Sequence, residues 1–365
     1  MMKKTLFFLC VFAILTAGKS FSQPADSTSK LKFSGYVDAY YAYYTDSVGR
    51  GNFQKFPSVS PRSEQFGLNA ICLTAQYDDE KVRGTVTLHY GDIPVSAWSG
   101  TFNNIMEAHG GVRIINKLWI DAGFFRTHVG TEGLLPKENI TSSVGVPTYY
   151  EPYFESGVRL NYNPTEKIAI NLFLLNGFNI YQDNNSKKSF GLLATYALGD
   201  KGNIGISNYT GDDTPGDADS ISHLRIFQNL FINYQFNNLK VQLGGDYAVQ
   251  ENSDIAFGNK SAAMYSGVLG LKYQAVDVFA VYARGEIFND PEGFLSGIII
   301  DKKSRLTGLK LMGGTFGIEY KPMEGSYIRL ETRQLIMDED QQIFKFDGIE
   351  ENHRTEILLN LGVSF

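Results

Sequence analysis

The sequence predicts an all-β protein: a transmembrane antiparallel β-barrel of about 16 strands, with short periplasmic turns and long outer loops. Three observations lead to this prediction. Many segments alternate apolar and polar residues with a period of two, as strands between lipid and water do. Short and long connections alternate along the chain, and the chain ends on a strand with an apolar face. The 37 glycines and the aromatic share of 13% among 365 residues fit the same class.

The last eleven residues, 355–365, form the clearest of these strands. One face is wholly apolar, whereas the other carries polar residues and glycine with Leu358 as the one exception. Such a strand contacts hydrocarbon on one side only, and we predict that it closes the barrel by pairing with the first strand, 31–44. A terminal aromatic resembles the assembly signal of bacterial outer-membrane barrels. The residues assigned to closure and assembly are Phe365, Val363, Leu361 and Leu359.

Two kinds of connection separate the predicted strands, and they alternate without a break. Because consecutive strands run in opposite directions, all connections of one kind lie at the same end of the barrel. Together they join sixteen strands. The short turns are 78–81, 115–117, 163–166, 199–202, 237–238, 274–276 and 321–325. The long loops are 45–65, 91–103, 127–152, 177–188, 211–222, 251–261, 289–308 and 337–353.

The N-terminus carries the pattern of an export signal. Lys3 and Lys4 precede an uncharged apolar run, 5–17, and small and polar residues follow it. The run is too short to cross a bilayer, which needs about 20 residues. We therefore predict a signal peptide over 1–22 and one barrel domain over 23–365, with a buried N-terminal helix of a soluble protein as the alternative.

The charge and cysteine content exclude several classes. The formal net charge is −6, and removal of the basic signal segment makes the chain more acidic. An acidic chain without a basic cluster argues against a nucleic-acid partner. Only Cys72 remains after removal of 1–22, so no internal disulfide can form. No spacing of Cys and His suggests a metal site, and we predict no metal and no cofactor.

Six short segments resemble, in their order along the chain, the OmpL-like β-barrel porins. They are 35–39 (GYVDA), 122–132 (AGFFRTHVGTE), 152–160 (PYFESGVRL), 176–179 (NGFN), 284–286 (RGE) and 329–333 (RLETR). The resemblance implies an outer-membrane porin of a Gram-negative bacterium through which small hydrophilic solutes diffuse passively. It also implies contacts with outer-membrane lipid and lipopolysaccharide, insertion by the barrel assembly machinery, and a homotrimer as an open alternative to the monomer.

The third long loop, 127–152, is the candidate constriction, because porins of this size commonly fold that loop into the lumen. We expect its Glu132 and Glu138, with Lys137, to face a ladder of arginines on nearby strands. Opposed acidic and basic rims would set a transverse field across the pore. Ordinary salt bridges across the lumen would give the same pattern. The predicted pore-lining residues are Arg83, Glu107, Arg113, Arg126, Glu132, Glu155, Arg159, Arg284, Glu286, Arg329, Glu331 and Arg333.

Other functions have weaker support. The five histidines show no pattern of a hydrolase triad, so the prediction is a channel without enzymatic activity. The acidic loop segment 211–219 could hold Ca²⁺ but lacks the ordered positions of an EF-hand. The alternatives are a substrate-selective channel, a plugged barrel used for binding or as a scaffold, and an exported soluble β-sandwich that binds glycans.

Overall fold

The computed structural model describes residues 29–46, 48–216 and 221–365, so the predicted signal peptide, 1–22, lies outside the described residues. Twenty strands are present in the described part of the chain. They are β1 (Leu31–Tyr44), β2 (Gln65–Asp78), β3 (Val82–Tyr90), β4 (Ile105–Ile115), β5 (Leu118–Arg126), β6 (Phe154–Tyr162), β7 (Ile168–Leu175), β8 (Ser189–Ala197), β9 (Gly202–Asp212), β10 (Leu224–Phe236), β11 (Leu239–Gln250), β12 (Ala262–Val276), β13 (Phe279–Asn289), β14 (Ile299–Ile300), β15 (Leu306–Thr307), β16 (Lys310–Tyr320), β17 (Ser326–Met337), β18 (Phe344–Phe346), β19 (Ile349–Glu351) and β20 (His353–Ser364).

Sixteen of these strands form one closed barrel, which confirms the predicted fold class. Each barrel strand pairs antiparallel with its neighbours in chain order. The two remaining pairs, β14 with β15 and β18 with β19, are short hairpins within long loops. In the described part of the chain, helix is confined to α1 (Asp92–Ala97), α2 (Val146–Tyr150) and the 3-10 turns Pro136–Glu138 and Gly199–Lys201. Within the described ranges, no helix is long and apolar enough to cross a bilayer.

The first and last strands close the barrel as predicted. β1 pairs with β20 in a continuous antiparallel register. The Gly35 N–H donates to the Phe365 carbonyl oxygen at 2.7 Å, and the Phe365 N–H donates to that of Gly35 at 3.1 Å. The apolar face of β20 lies on the outside, where Leu361 is 48% exposed and Phe365 is 74% exposed. Its other face, including Leu358, is buried inside the barrel, so the period of two in the sequence is the division between lipid and lumen.

The connections also follow the prediction, with one correction. The turn expected at 274–276 is Asp277 and Val278, because β12 continues to Val276 through an irregularity in its pairing with β13. Residues 274–276 contain no strong turn former, so the prediction of a turn there depended only on the spacing between strands. The other short turns and the long loops agree with the strand bounds to within one or two residues.

Tyrosine rings cover glycines on the inner face of the barrel. The ring of Tyr327 on β17 lies beside Gly362 on β20, where a Cβ atom would come within 2.2 Å of it. Tyr282 and Gly317 repeat the arrangement between β13 and β16. Glycine lets the neighbouring ring lie flat over these two positions, and a larger residue would force the ring to move.

Candidate pore and the loop inside the barrel

The loop between β5 and β6, residues 127–153, runs inside the barrel, and we call it loop 3. Its own side chains fix its bends. The Glu132 carboxylate accepts from the Gly145 N–H at 2.6 Å and from the Thr148 hydroxyl at 3.2 Å. The Asn139 amide pairs with the backbone of Gly133, donating at 2.6 Å and accepting at 2.8 Å. These bonds satisfy the backbone of an irregular segment that has no ladder of its own.

Acidic side chains of the barrel wall bind the backbone of loop 3. Glu331 on β17 accepts from the Ser142 N–H at 2.7 Å and from the Ser143 N–H at 3.0 Å. Glu286 on β13 accepts from the Val146 N–H at 2.6 Å. Carboxylates that accept backbone N–H groups form strong, charge-assisted hydrogen bonds. Loop 3 is therefore held against this wall at two successive points.

Arginines of the same wall bind the carbonyl groups of loop 3. Arg284 donates to the Ser143 carbonyl at 2.6 Å and pairs with Glu132 at 3.1 Å. Arg329 donates to the Pro136 carbonyl at 2.8 Å and to the Thr141 carbonyl at 2.9 Å. Since a guanidinium carries five N–H donors in a planar fork, one arginine can bind several groups of a loop at once.

Seven of the twelve predicted pore-lining side chains are buried between loop 3 and the wall. The side chains on β13 and β17 lie under loop 3, Glu132 belongs to loop 3 itself, and Glu155 on β6 contacts His128 of loop 3. Each buried arginine pairs with a carboxylate. The buried residues are Glu132, Glu155, Arg284, Glu286, Arg329, Glu331 and Arg333.

The other five predicted residues lie on the opposite wall, from β3 to β6, and remain partly exposed: Arg83, Glu107, Arg113, Arg126 and Arg159. Arg126 pairs with Glu138 of loop 3 at 2.7 Å, as the sequence suggested. Glu132 instead turns to the far wall, and Lys137 lies over the ring of Tyr36 at 4.4 Å. Within the described ranges, Arg126 is therefore the one member of the expected arginine ladder that pairs with an acid of loop 3.

Asp121 on β5 is a functional candidate that the sequence analysis missed. It pairs with Arg83 at 2.6 Å and with Arg159 at 3.1 Å, although its own side chain is buried. One carboxylate thus serves two arginines, and a positive charge is left in excess. Asp121 shares the inward face of β5 with Trp119 and Gly123, and this alternation was the sequence signal that could have identified it.

His128 anchors the start of loop 3 through two acceptors. Its Nδ1 lies 2.7 Å and 2.8 Å from the two Glu155 carboxylate oxygens, and its Nε2 lies 2.8 Å from the Asn208 carbonyl oxygen. Only an imidazolium can donate from both nitrogens. Burial by itself lowers the pKa of His128, but Glu155 and the Asn208 carbonyl raise it, and the net pKa lies above its usual range.

This raised pKa gives a pH dependence of stability. The contribution of His128 to the free energy of unfolding is fully present below its unfolded pKa, about 6.5. It is lost as the pH rises through the higher pKa of the folded state. We expect the thermal unfolding temperature in detergent to fall as the pH rises above about 6.5, and His128→Gln to remove most of that fall. The measurement is the temperature at which heat-modifiable gel mobility is lost. His353→Gln, at an exposed site, is the control, and an unchanged slope in His128→Gln would contradict the assignment.

A closed barrel with an apolar outer face, a charged lumen and a loop inside that lumen defines a class, the outer-membrane channels of the porin type. The chain belongs to the family described as "Putative beta-barrel porin-2, OmpL-like", whose model matches residues 30–365. The protein is thus a porin of the outer membrane. A search of curated protein sequences gave no match.

Several solved structures share this fold. An anion-selective porin from Comamonas acidovorans aligns with a TM-score of 0.59 at 11% identity, over 92% of this chain and 99% of that one. The outer-membrane channel DcaP of Acinetobacter baumannii aligns with a TM-score of 0.58 at 14% identity, over 92% and 97%. A loop-deletion mutant of OmpT, an outer-membrane protein of Vibrio cholerae, aligns with a TM-score of 0.59 at 10% identity, over 92% and 99%. At these identities the likeness concerns the fold.

Proposed function

We propose that this porin passes small hydrophilic solutes by passive diffusion and favours anions, with loop 3 as the constriction. The positive charge that stays accessible on the wall from β3 to β6 and on loop 3 carries the proposal. Arg83 and Arg159 share one buried carboxylate, and Arg113 forms no ion pair within the described residues. Lys137 of loop 3 lies over an aromatic ring rather than beside an acid. These basic side chains add accessible positive charge to the lumen, and such charge concentrates anions.

We extend this proposal to the partners and the activity of the protein. We propose that the outer surface contacts lipid and lipopolysaccharide, that the strand ending in Phe365 is read by the barrel assembly machinery, and that three copies assemble. One of the structural neighbours carries the words "trimer form" in its description. We propose no catalytic role. Glu107 and His109 lie 3.6 Å apart on the inner wall, and we interpret them as a pair of lumen side chains rather than as a general base and its partner.

A plugged barrel is the second candidate, and an aromatic cluster at the loop end of the barrel favours it. Phe56 packs against Tyr149 of loop 3 with ring centroids 5.6 Å apart, and against Phe344 at 6.4 Å. Phe344 and Val146 are fully buried there. Such a cluster could block the entrance to water, and a barrel blocked in this way would show no stable open steps in a planar bilayer.

The test is the reversal potential of single channels in a KCl gradient. We expect stable open steps and a reversal potential of the anion-selective sign in the wild type. Replacing Arg126 and Arg159 by Glu should shift it strongly toward cations, because each change reverses one charge and leaves Glu138 and Asp121 with fewer counterions.

The control variant carries Lys167→Glu and Lys201→Glu, a matched change of charge on exposed residues of two short turns. It should leave the reversal potential almost unchanged. A milder variant, Arg126→Gln with Arg159→Gln, shows the same direction if the Glu variant folds poorly. A cation-selective wild type, or a reversal potential that neither Arg variant changes, would contradict the proposal.

A further inference from the structure

A polar cavity of about 480 Å³ lies at the turn end of the lumen, beyond the tip of loop 3. Residues 137–140 of loop 3 form one side of it. The inner faces of β10 to β12, β16 and β17 form the other sides, together with the turn 321–325 and the end of β20. Its size suits a small organic molecule, since ligand pockets usually measure about 300–1,000 Å³. The inference drawn from it rests on the proposed function, because the ligand has to reach the cavity through the lumen.

Two lysines lie side by side on one wall of this cavity. Lys240 on β11 and Lys272 on β12 are direct partners in the antiparallel register, and both line the cavity. Like charges placed directly opposite on neighbouring strands destabilise a sheet. Lys272 is neutralised by Glu319 on β16, whereas Lys240 forms no ion pair within the part of the chain that the structure describes. The pair of lysines thus keeps one positive charge, that of Lys240, without a carboxylate partner among the described residues.

Glu319 cannot balance the remaining charge, because it already serves two cations. Its second oxygen accepts from Arg329 Nε on β17 at 2.7 Å, and its side chain is almost fully buried. The cavity is lined by five basic side chains, three of which are Lys137, Lys240 and Lys321, against two acidic ones, Glu319 and Glu324. The buried wall behind loop 3 pairs its arginines with carboxylates. The cavity, in contrast, keeps a formal excess of three positive charges.

We propose that this cavity binds a compact organic dianion, either a dicarboxylate or a phosphate monoester, on its way through the channel. One anionic group would bridge Lys240 and Lys272, and Lys137 would approach it from loop 3. The amide side chains of Asn139, Gln235 and Gln274 also line the cavity and offer donors and acceptors to hydroxyl or carbonyl groups of the ligand. A monovalent anion would balance only part of the charge and bind more weakly.

The test measures binding directly, without conductance. Inorganic phosphate and succinate serve as probes, with acetate and glucose as comparison solutes, in titration calorimetry of the full protein in detergent. We expect both dianions, or one of them, to bind the wild type more tightly than acetate does, and glucose to give no signal. Lys240→Gln with Lys272→Gln should weaken binding of the dianion by about tenfold or more.

Two further variants separate charge from structure. Lys240→Arg keeps the charge and should retain binding, whereas Lys167→Gln with Lys201→Gln, on exposed turns, should leave it unchanged. If the double variant fails to fold, Lys240→Gln alone leaves the ion pair of Lys272 with Glu319 intact and is measured instead. Binding of phosphate alone assigns the site to phosphate esters, and binding of succinate alone assigns it to dicarboxylates.

The outcomes separate this inference from the proposed function. An anion-selective wild type that binds neither dianion, or binds acetate as tightly, overturns the inference and leaves the proposed function in place. A cation-selective channel that still binds dianions through Lys240 supports the site and overturns the anion preference. Binding that Lys240→Gln does not weaken also overturns the inference.

Discussion

Deleting residues 134–143 from loop 3 is expected to raise the single-channel conductance several-fold. This segment contains the 3-10 turn Pro136–Glu138 and the two backbone N–H groups that bind Glu331. It crosses from the β5 wall to the β17 wall, so it occupies cross-section that a barrel of sixteen strands otherwise leaves to water. With a flexible Gly/Ser connection in its place, Arg284 and Glu331 would become hydrated rather than buried without partners. The barrel should therefore still fold.

The measurement is the amplitude of single steps in planar bilayers at fixed KCl. The control is a deletion of residues 256–259 from the loop between β11 and β12, where the side chains are largely exposed. That deletion should leave the step size close to the wild-type value. If the loop 3 deletion folds, as its heat-modifiable gel mobility would show, and its conductance is unchanged, the ions take a path that loop 3 does not narrow.

The sequence predicted the barrel well because a membrane forces the two faces of a strand to differ. In β20, with Leu358 as the one exception, apolar and polar residues alternate from Ile357 to Ser364, and the structure turns the first set outward and the second set inward. The rule needs no partner strand, so it can be applied to one segment at a time. The position of the turn between β12 and β13 was predicted wrongly because Asp277-Val278 is a weak turn signal. The strand before it also continues with the same alternation.

The site was less predictable, because the alternation shows which side chains point inward and not what they meet there. Glu331 points inward as expected, yet its partners are the backbone N–H groups of Ser142 and Ser143, almost 190 positions away in the chain. Glu132 pairs with Arg284 for the same reason. Whether an inward charge contacts water or a loop depends on the path of loop 3, and that path is decided by contacts between distant segments.

Replacing Glu286 by Gln is expected to cause the largest loss of stability among single substitutions in this wall. Glu286 binds Arg333 at 2.9 Å, lies 3.3 Å from Arg284 and accepts the Val146 N–H at the start of α2. Glutamine keeps the shape and one acceptor, but it leaves two buried guanidinium groups without their shared counterion. Breaking a buried ion pair from one side typically costs about 3–5 kcal/mol. Urea titration of the protein in detergent measures this loss as a lower free energy of unfolding.

The comparison with an exposed pair decides whether burial is the cause. Asp79→Asn removes the partner of Lys30 in a short turn, an ion pair that water already screens, and should hardly change the free energy of unfolding. Glu286→Gln should also make the open current noisier, because α2 loses its bond to the wall and loop 3 can move into the remaining lumen. Equal effects of the two substitutions would mean that the charges behind loop 3 are hydrated. Loop 3 would then be held mainly by its apolar contacts, such as those of Val146, since hydrated ion pairs contribute little to stability.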